Sequence, residues 1–175
     1  MNKGIEKLLE AYVSLNAEEK TNLIIAGEGK EDYESRLKKK YRRDDIHFIG
    51  KVDPHEFYPN IDVLVVPSLL EEALGVVVPE ALVYGIPVIG SKLGAIPEII
   101  NHGENGYLID STNIREIKNA IERYINNRNH FREGKEKLVE SASKFFDYEG
   151  WLNEWEQLYN ELIERKKVGF QKIDY

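Results

Sequence analysis

The sequence predicts an α/β domain in which a parallel, doubly wound sheet carries helices on both faces. Short apolar segments rich in valine and isoleucine, such as NLIIAGEG, IHFIG and IDVLVVPS, alternate with segments of helical periodicity. Such runs are typical of parallel strands, because the connecting helices bury both faces of the sheet. The chain has 175 residues, of which 42% are hydrophobic and 31% charged. We therefore expect one domain with a proper core, and domains of this class bind ligands beyond the carboxyl ends of their strands.

The individual elements are predicted from apolar spacing, caps and breakers. The first half should contain a helix through Ile5, Leu8, Leu9 and Tyr12, the strand NLIIAGEG, a helix over residues 30–43, the strand IHFIG and a one-turn helix with Asp53 as cap and Pro54 in first position. The next part should contain the strand IDVLVVPS, a helix from about Val76 to Tyr84 stopped by Gly85, the strand IPVIG, the short helix IPEII and the strand NGYLID.

Beyond Ser111 the pattern is wholly helical, with apolar stripes that begin at Ile114, Leu138 and Leu152. We expect a single domain over residues 1–165, with these extra helices at its end, and a loose tail over residues 166–175. A doubly wound domain normally begins on a strand, whereas this chain begins on a helix. A first strand is therefore expected to be missing upstream.

Composition excludes several classes of function. The absence of cysteine excludes disulfides, thiolate metal sites and cysteine nucleophiles. A net charge of −7 disfavours a general nucleic-acid binder, and the charged start of the chain is not a signal peptide. The apolar run over residues 73–90 is about long enough to span a bilayer. Because Glu80, two prolines and two glycines interrupt it, we expect two buried elements and a turn instead.

The segment PSLLEEALGVVVPEALVYGIPVIG, residues 67–90, contains the candidate site. If its helix begins near Val76, Pro79 lies in the first turn, where its missing N–H costs nothing. The free amides at that helix start favour an anion such as phosphate. Glu80 lies about one turn further in, and Glu72 lies in the preceding loop, so both carboxylates can face one crevice. Sugar or ribose hydroxyls are natural partners for them.

This segment resembles the E-x7-E signature of retaining glycosyltransferases of the GT-B fold, most closely family 4, the group 1 type. The blocks KGIEKLLEAY, LIIAGEGK, IHFIGKV, DVLVVPS, GAIPEII and NGYLI agree with the family in order and spacing over roughly residues 3–127. The resemblance implies a Rossmann-like domain, the C-terminal half of a GT-B enzyme, with the acceptor-binding N-terminal domain absent. An arginine and a strand that precede the family's lysine are absent as well.

The resemblance also implies the roles of particular residues. Glu80 matches the glutamate that holds the ribose hydroxyls. Glu72 matches the glutamate that contacts the donor sugar, and Lys3 matches a lysine that neutralises the leaving diphosphate. The backbone amides that hold the sugar and diphosphate match Leu74, Gly75, Val76 and Val77. Lys51 and Val52 match family positions that lie beside the base. Gly27 lies in a loop that resembles a family loop facing the cleft. The donor would be linked to UDP, GDP or ADP; no metal and no other cofactor is expected, since Asp-x-Asp and histidine clusters are absent.

The expected function is transfer of a sugar, of the hexosyltransferase type, from a nucleoside-diphosphate sugar to a glycan or lipid acceptor, with retention at the anomeric carbon. The chain would act as part of a longer protein, in the cytoplasm or at the cytoplasmic membrane face, and would be inactive alone. Two alternatives are open: a non-catalytic nucleotide-sugar-binding module, or a GT-B sugar-nucleotide epimerase. The base, sugar, acceptor and oligomeric state are open too.

Three further features have competing interpretations. RLKKKYRR, residues 36–43, could contact anionic lipid at a membrane surface, but a solvated helix face is favoured. Gly27 and Gly29 fit a simple turn as well as a ligand loop, because Asp32 stands where a dinucleotide fingerprint needs a third glycine. The helical spacing of Trp151 and Trp155 favours packing over membrane contact.

Overall fold

The structure, a computed structural model, describes residues 3–15, 21–143 and 145–170, the last four by backbone only. All five predicted strands are present: β1 Leu23–Ala26, β2 Ile46–Gly50, β3 Leu64–Val66, β4 Val88–Ser91 and β5 Gly106–Ile109. Every pairing between them is parallel. The predicted α/β class with a parallel, Rossmann-like architecture is confirmed.

The helices also follow the prediction, with ends that differ by a few residues. They are α1 Ile5–Val13, α2 Glu31–Lys40, α3 Pro54–Phe57, α4 Val77–Val83, α5 Ile96–Ile99, α6 Ile114–Glu133, α7 Lys135–Ser143 and α8 Tyr148–Phe170, with a 3-10 turn over Tyr58–Asn60 after α3. Asp53 caps α3 as predicted, since its carboxylate accepts from the His55 amide at 2.8 Å. The α4 helix begins at Val77, one residue later than expected.

The strands form two sheets rather than the one expected. Hydrogen bonds join β1 to β2, and β3 to β4 and β5. Within the described ranges, the second edges of β1 and β3 pair with no other strand. Both edges line one cavity of about 510 Å³, which touches residues 21–26 and 61–65. The cavity therefore marks where the expected single sheet is divided into two.

The core lies between the β3–β4–β5 sheet and its helices. All four residues of β4 are buried. A Cβ at Gly90 would lie 2.5 Å from Ile100 Cδ1 and 2.7 Å from Ile96 Cγ2, so α5 packs directly on this strand. Helix α1 packs on α6 through buried faces. These contacts fix the loops that follow β3 and β4, which carry the candidate site.

The chain divides into two compact units at Ala142–Ser143, a finer division than the single predicted domain. The second unit holds α8, which continues past the boundary predicted at residue 166. Trp151 and Trp155 are 54% and 41% exposed, and their rings contact each other in a T-shaped arrangement. The two rings therefore pack on each other while much of their surface stays exposed. Among the described residues, no helix has the length and apolarity needed to cross a membrane.

Candidate functional site

Helix α1 begins against the residue that follows β3. Gly4 precedes this helix at φ +72°, and a Cβ there would lie 1.8 Å from the Pro67 carbonyl oxygen. Only glycine allows so close an approach in this conformation. The contact brings Lys3 to the Glu72 loop, where the Lys3 ammonium lies 2.8 Å from Glu72 Oε1. Two predicted site residues 69 positions apart therefore meet.

The loop that carries Glu72 is held by the loop after β4. Gly94 has φ +59°, and the neighbouring Ala95 amide donates to the Glu72 carbonyl at 3.0 Å. Burial by itself would raise the pKa of Glu72, but the hydrogen bond from Lys3, the nearby Ser68 hydroxyl and the charge of Lys3 together hold this pKa below its ordinary value of 4.5. Glu72 is therefore an ionised group at neutral pH, beside a cation.

The segment from Leu74 to Val77 forms the entry to α4. Gly75 is buried at φ +60°, and its Cβ position is 3.2 Å from Ile96 Cγ1. Helical hydrogen bonding starts with the Val78 amide donating to the Gly75 carbonyl at 2.8 Å. The side chains of Leu74, Val76 and Val77 are exposed. The segment that the sequence assigned to a phosphate or sugar thus presents exposed side chains on either side of a buried glycine.

Glu80 is held by an aromatic cluster that the sequence did not predict. The Tyr58 hydroxyl donates to Glu80 Oε2 at 3.0 Å, and the Tyr58 ring stacks on Tyr84 at 5.3 Å between centroids. The Tyr84 hydroxyl hydrogen-bonds His55 Nδ1. Burial raises the pKa of Tyr58, and its hydrogen bond to the Glu80 carboxylate raises it further. A carboxylate within an apolar helix is thus stabilised by a buried phenol.

Tyr58 and Tyr84 were missed because neither has a motif of its own. Tyr58 follows a predicted one-turn helix, and Tyr84 was interpreted only as the end of α4. The available signal was the aromatic pair Phe57–Tyr58, a few residues before a strand whose carboxyl end leads into the site. An aromatic pair does not say which polar group the hydroxyl would reach.

The remaining predicted residues follow the other sheet. The Gly27 amide donates to the Gly50 carbonyl at 2.7 Å, which joins the loops after β1 and β2. Gly27 and Lys51 are exposed and Val52 is half-buried. The structure therefore groups Gly27 with Lys51 and Val52, and Lys3 with Glu72, and among the described residues these two groups share no hydrogen bond or ion pair. Their assignment to base, sugar and diphosphate stays a prediction.

Two other observations concern partners. In the described part of the chain, no three His, Cys, Asp or Glu side chains are grouped so as to hold a metal ion. The basic run over residues 36–43 is paired locally, since Arg36 and Lys40 contact Glu6, and Lys38 contacts Glu34. This pairing supports the interpretation of the run as a solvated helix face.

Comparison with known proteins identifies the family and the fold of the chain. The family model described as "Glycosyl transferases group 1" matches residues 1–145. The chain is 26% identical over 170 residues to N-acetyl-alpha-D-glucosaminyl L-malate synthase of Bacillus anthracis, covering 95% of this chain and 44% of that protein. It is 27% identical over 148 residues to alpha-D-kanosaminyltransferase of Streptomyces kanamyceticus, covering 81% of this chain and 37% of that protein. The chain spans less than half the length of these curated relatives.

Solved structures show the same architecture. Sucrose-phosphate synthase from Thermosynechococcus elongatus matches with a TM-score of 0.77 and 27% identity, over 94% of this chain and 43% of that one. The C-terminal domain of a group 1 family glycosyl transferase from Francisella tularensis matches with a TM-score of 0.73 and 26% identity, over 84% of this chain and 81% of that one. The fold is therefore that of the C-terminal half of a GT-B glycosyltransferase.

This chain belongs to the group 1 glycosyl transferases. The resemblance inferred from the E-x7-E segment and its flanking blocks is confirmed at the level of family and fold.

Proposed function

We propose that this chain is the donor-binding part of a retaining glycosyltransferase that moves a sugar from a nucleoside-diphosphate sugar to a glycan or lipid acceptor. The observation that carries the proposal is the meeting of Lys3 and Glu72 beside the exposed start of α4. A cation, a carboxylate and a helix entry with a buried glycine are the groups that a sugar diphosphate needs. The solved structures of Anabaena HepE with UDP and UDP-glucose, which share this fold, support a donor of that class.

The hard step in such a transfer is the departure of the nucleoside diphosphate, because charge grows on its phosphate oxygens as the bond to the sugar breaks. Lys3 is placed to neutralise that charge, since its side chain is 42% exposed and can exchange Glu72 for a phosphate oxygen. The backbone amides at Gly75 to Val77 would add fixed dipoles, and groups that are already oriented stabilise developing charge without reorganising. Glu72, released from Lys3, can then accept a hydrogen bond from a hydroxyl of the donor sugar, while Glu80 accepts from the ribose.

We also propose that the domain works within a longer polypeptide that supplies a first strand and the acceptor-binding half. The edges of β1 and β3 that pair with no described strand line one cavity of about 510 Å³, which has room for an extended segment. The greater length of the curated relatives supports the same view. Under this proposal the chain alone binds the donor weakly and transfers little sugar. Transfer takes place in the cytoplasm or at the cytoplasmic membrane face.

The test is a thermal-shift titration of the chain, and of any longer protein that contains it, with UDP, GDP and ADP and their sugar forms. A ligand at about 100 times its Kd adds about 2.7 kcal/mol to the free energy of unfolding. We expect a shift with one nucleotide, lost in Glu80→Gln. The matched control is Glu104→Gln, an exposed glutamate in the turn before β5, at the opposite edge of the parallel sheet.

An equal shift in wild type and Glu80→Gln would contradict the role of Glu80. Retention is tested separately on the longer protein, by comparing the anomeric configuration of donor and product by NMR. An inverted product would exclude the retaining mechanism, and release of a free, epimerised sugar nucleotide would favour the epimerase alternative.

A further inference from the structure

Glu80 has one of its two carboxylate oxygens fixed from outside its own helix. The Tyr58 hydroxyl lies 3.0 Å from Glu80 Oε2 and 3.4 Å from the Val77 carbonyl oxygen. A hydroxyl donates one hydrogen, and a charged acceptor at the shorter distance is the stronger partner. The hydrogen bond therefore belongs to the carboxylate, which keeps Oε1 available to a ligand.

Tyr58 is itself rigid. Its side chain is only 3% exposed, and its ring is stacked on Tyr84 and tilted against Phe57. It lies in a 3-10 turn whose backbone is fixed further by Pro59. Glu80, in contrast, is a long side chain on a helix of seven residues, and its free rotamers would have to be frozen when a ligand binds. A fixed phenol removes that cost before the ligand arrives.

We propose that Tyr58 is a positioning residue that aims the Glu80 carboxylate at the vicinal hydroxyls of the ribose, and thereby sets the discrimination between ribonucleotide and 2′-deoxyribonucleotide. This inference rests on the proposed function, in which Glu80 binds the ribose of the donor. A carboxylate in one orientation can accept both hydroxyls of a diol, because Oε1 and the second lone pair of Oε2 both remain available. A carboxylate that rotates freely accepts one hydroxyl nearly as well as two, so the preference for ribose falls.

The test compares UDP with 2′-deoxy-UDP, or the matching pair for the base that the titration identifies, by isothermal calorimetry. The measured quantity is the ratio of the two dissociation constants. Tyr58→Phe keeps the ring and its stacking but removes the hydroxyl. We expect wild type to prefer the ribonucleotide by about tenfold or more, and Tyr58→Phe to lose most of this preference. A general loss of stability would weaken both ligands alike and leave the ratio unchanged.

Tyr124→Phe is the matched control. Tyr124 is buried like Tyr58, and its hydroxyl donates one hydrogen bond, to the Asp62 carbonyl at 2.7 Å, outside the Glu80 cluster. This variant should keep the ratio of the wild type. In a double-mutant cycle, Tyr58→Phe should not change the ratio further in a Glu80→Ala background, because the acceptor that it orients is gone.

The outcomes separate this inference from the proposed function. Nucleotide binding with a wild-type ratio in Tyr58→Phe overturns the positioning role while the donor site stands. A wild type that binds no nucleotide in any form of the protein overturns both. If Tyr58→Phe does not fold, Glu80→Asp replaces it, because the shorter side chain withdraws the carboxylate from the Tyr58 hydroxyl and keeps its charge. A retained ratio in Glu80→Asp would overturn the inference equally.

Discussion

Replacement of Gly94 by alanine should displace the Glu72 loop and destabilise the domain by about 2–3 kcal/mol. Gly94 has φ +59°, a left-handed conformation that costs a residue with a Cβ about 1–2 kcal/mol. The added Cβ would lie 2.4 Å from the Glu72 carbonyl oxygen and 2.5 Å from the Glu72 amide nitrogen. Both are backbone atoms that cannot move aside alone. The loop must therefore shift, which also weakens the Ala95–Glu72 hydrogen bond of 3.0 Å by about 1 kcal/mol.

The assay is urea unfolding followed by circular dichroism, with nucleotide titration on the same samples. Gly29→Ala is the control, because a Cβ at Gly29 meets no atom within 4 Å and its φ is not left-handed. We expect Gly94→Ala to lose both stability and donor affinity. The free energy of unfolding of Gly29→Ala should stay within about 0.5 kcal/mol of the wild-type value. If Gly94→Ala were as stable as Gly29→Ala, the close approach of the two loops would be refuted.

Two further predictions concern charge and capping. Lys3→Met should lower the free energy of unfolding by about 0.5 kcal/mol near neutral pH, since the ion pair is partly exposed. The pKa of Glu72 is lowered in the fold, so this contribution is present above the ordinary value of 4.5 and is lost as the pH falls through the lower folded pKa. The free energies of unfolding of Lys3→Met and of the control Lys7→Met are compared by urea unfolding at several pH values. A difference between the two variants that persists at low pH would contradict the assignment of this contribution to the Lys3–Glu72 pair. Asn113→Ala should cost about 1 kcal/mol, because the Asn113 side chain accepts from two amides in the first turn of α6; an unchanged midpoint of thermal unfolding would show that this cap contributes nothing.

The elements of the fold could be predicted well because their signals are local. Valine- and isoleucine-rich runs predicted all five strands, and the Asp53–Pro54 pair predicted the start of α3. The division into two sheets could not be predicted in the same way, because pairing depends on which edges meet. The exposure of Trp151 and Trp155 could not be predicted from their spacing. Helical spacing shows that side chains share a face but does not show that anything covers it.

The site was predicted in part. The spacing of Glu72 and Glu80 indicated two carboxylates near one helix start, and the family resemblance assigned Lys3 to the leaving diphosphate, while its contact with Glu72 was not predicted. The partner of Glu80 could not be predicted, because Tyr58 lies 22 positions away and reaches it only once the 3-10 turn has packed against α4. An ordinary aromatic residue has no signature that marks its hydroxyl as functional.

The sequence by itself determined the class, the family and the identity of the residues at the α4 entry, because periodicity, glycine and proline placement and ordered motifs are properties of neighbouring residues. Only the tertiary structure decided how the carboxylates are held. Lys3 reaches Glu72 because Gly4 allows α1 to begin against Pro67, and Glu80 is fixed because a buried tyrosine from another element lies within hydrogen-bonding distance. Both contacts join residues far apart in the chain, and their distances are set by packing, which no local pattern encodes.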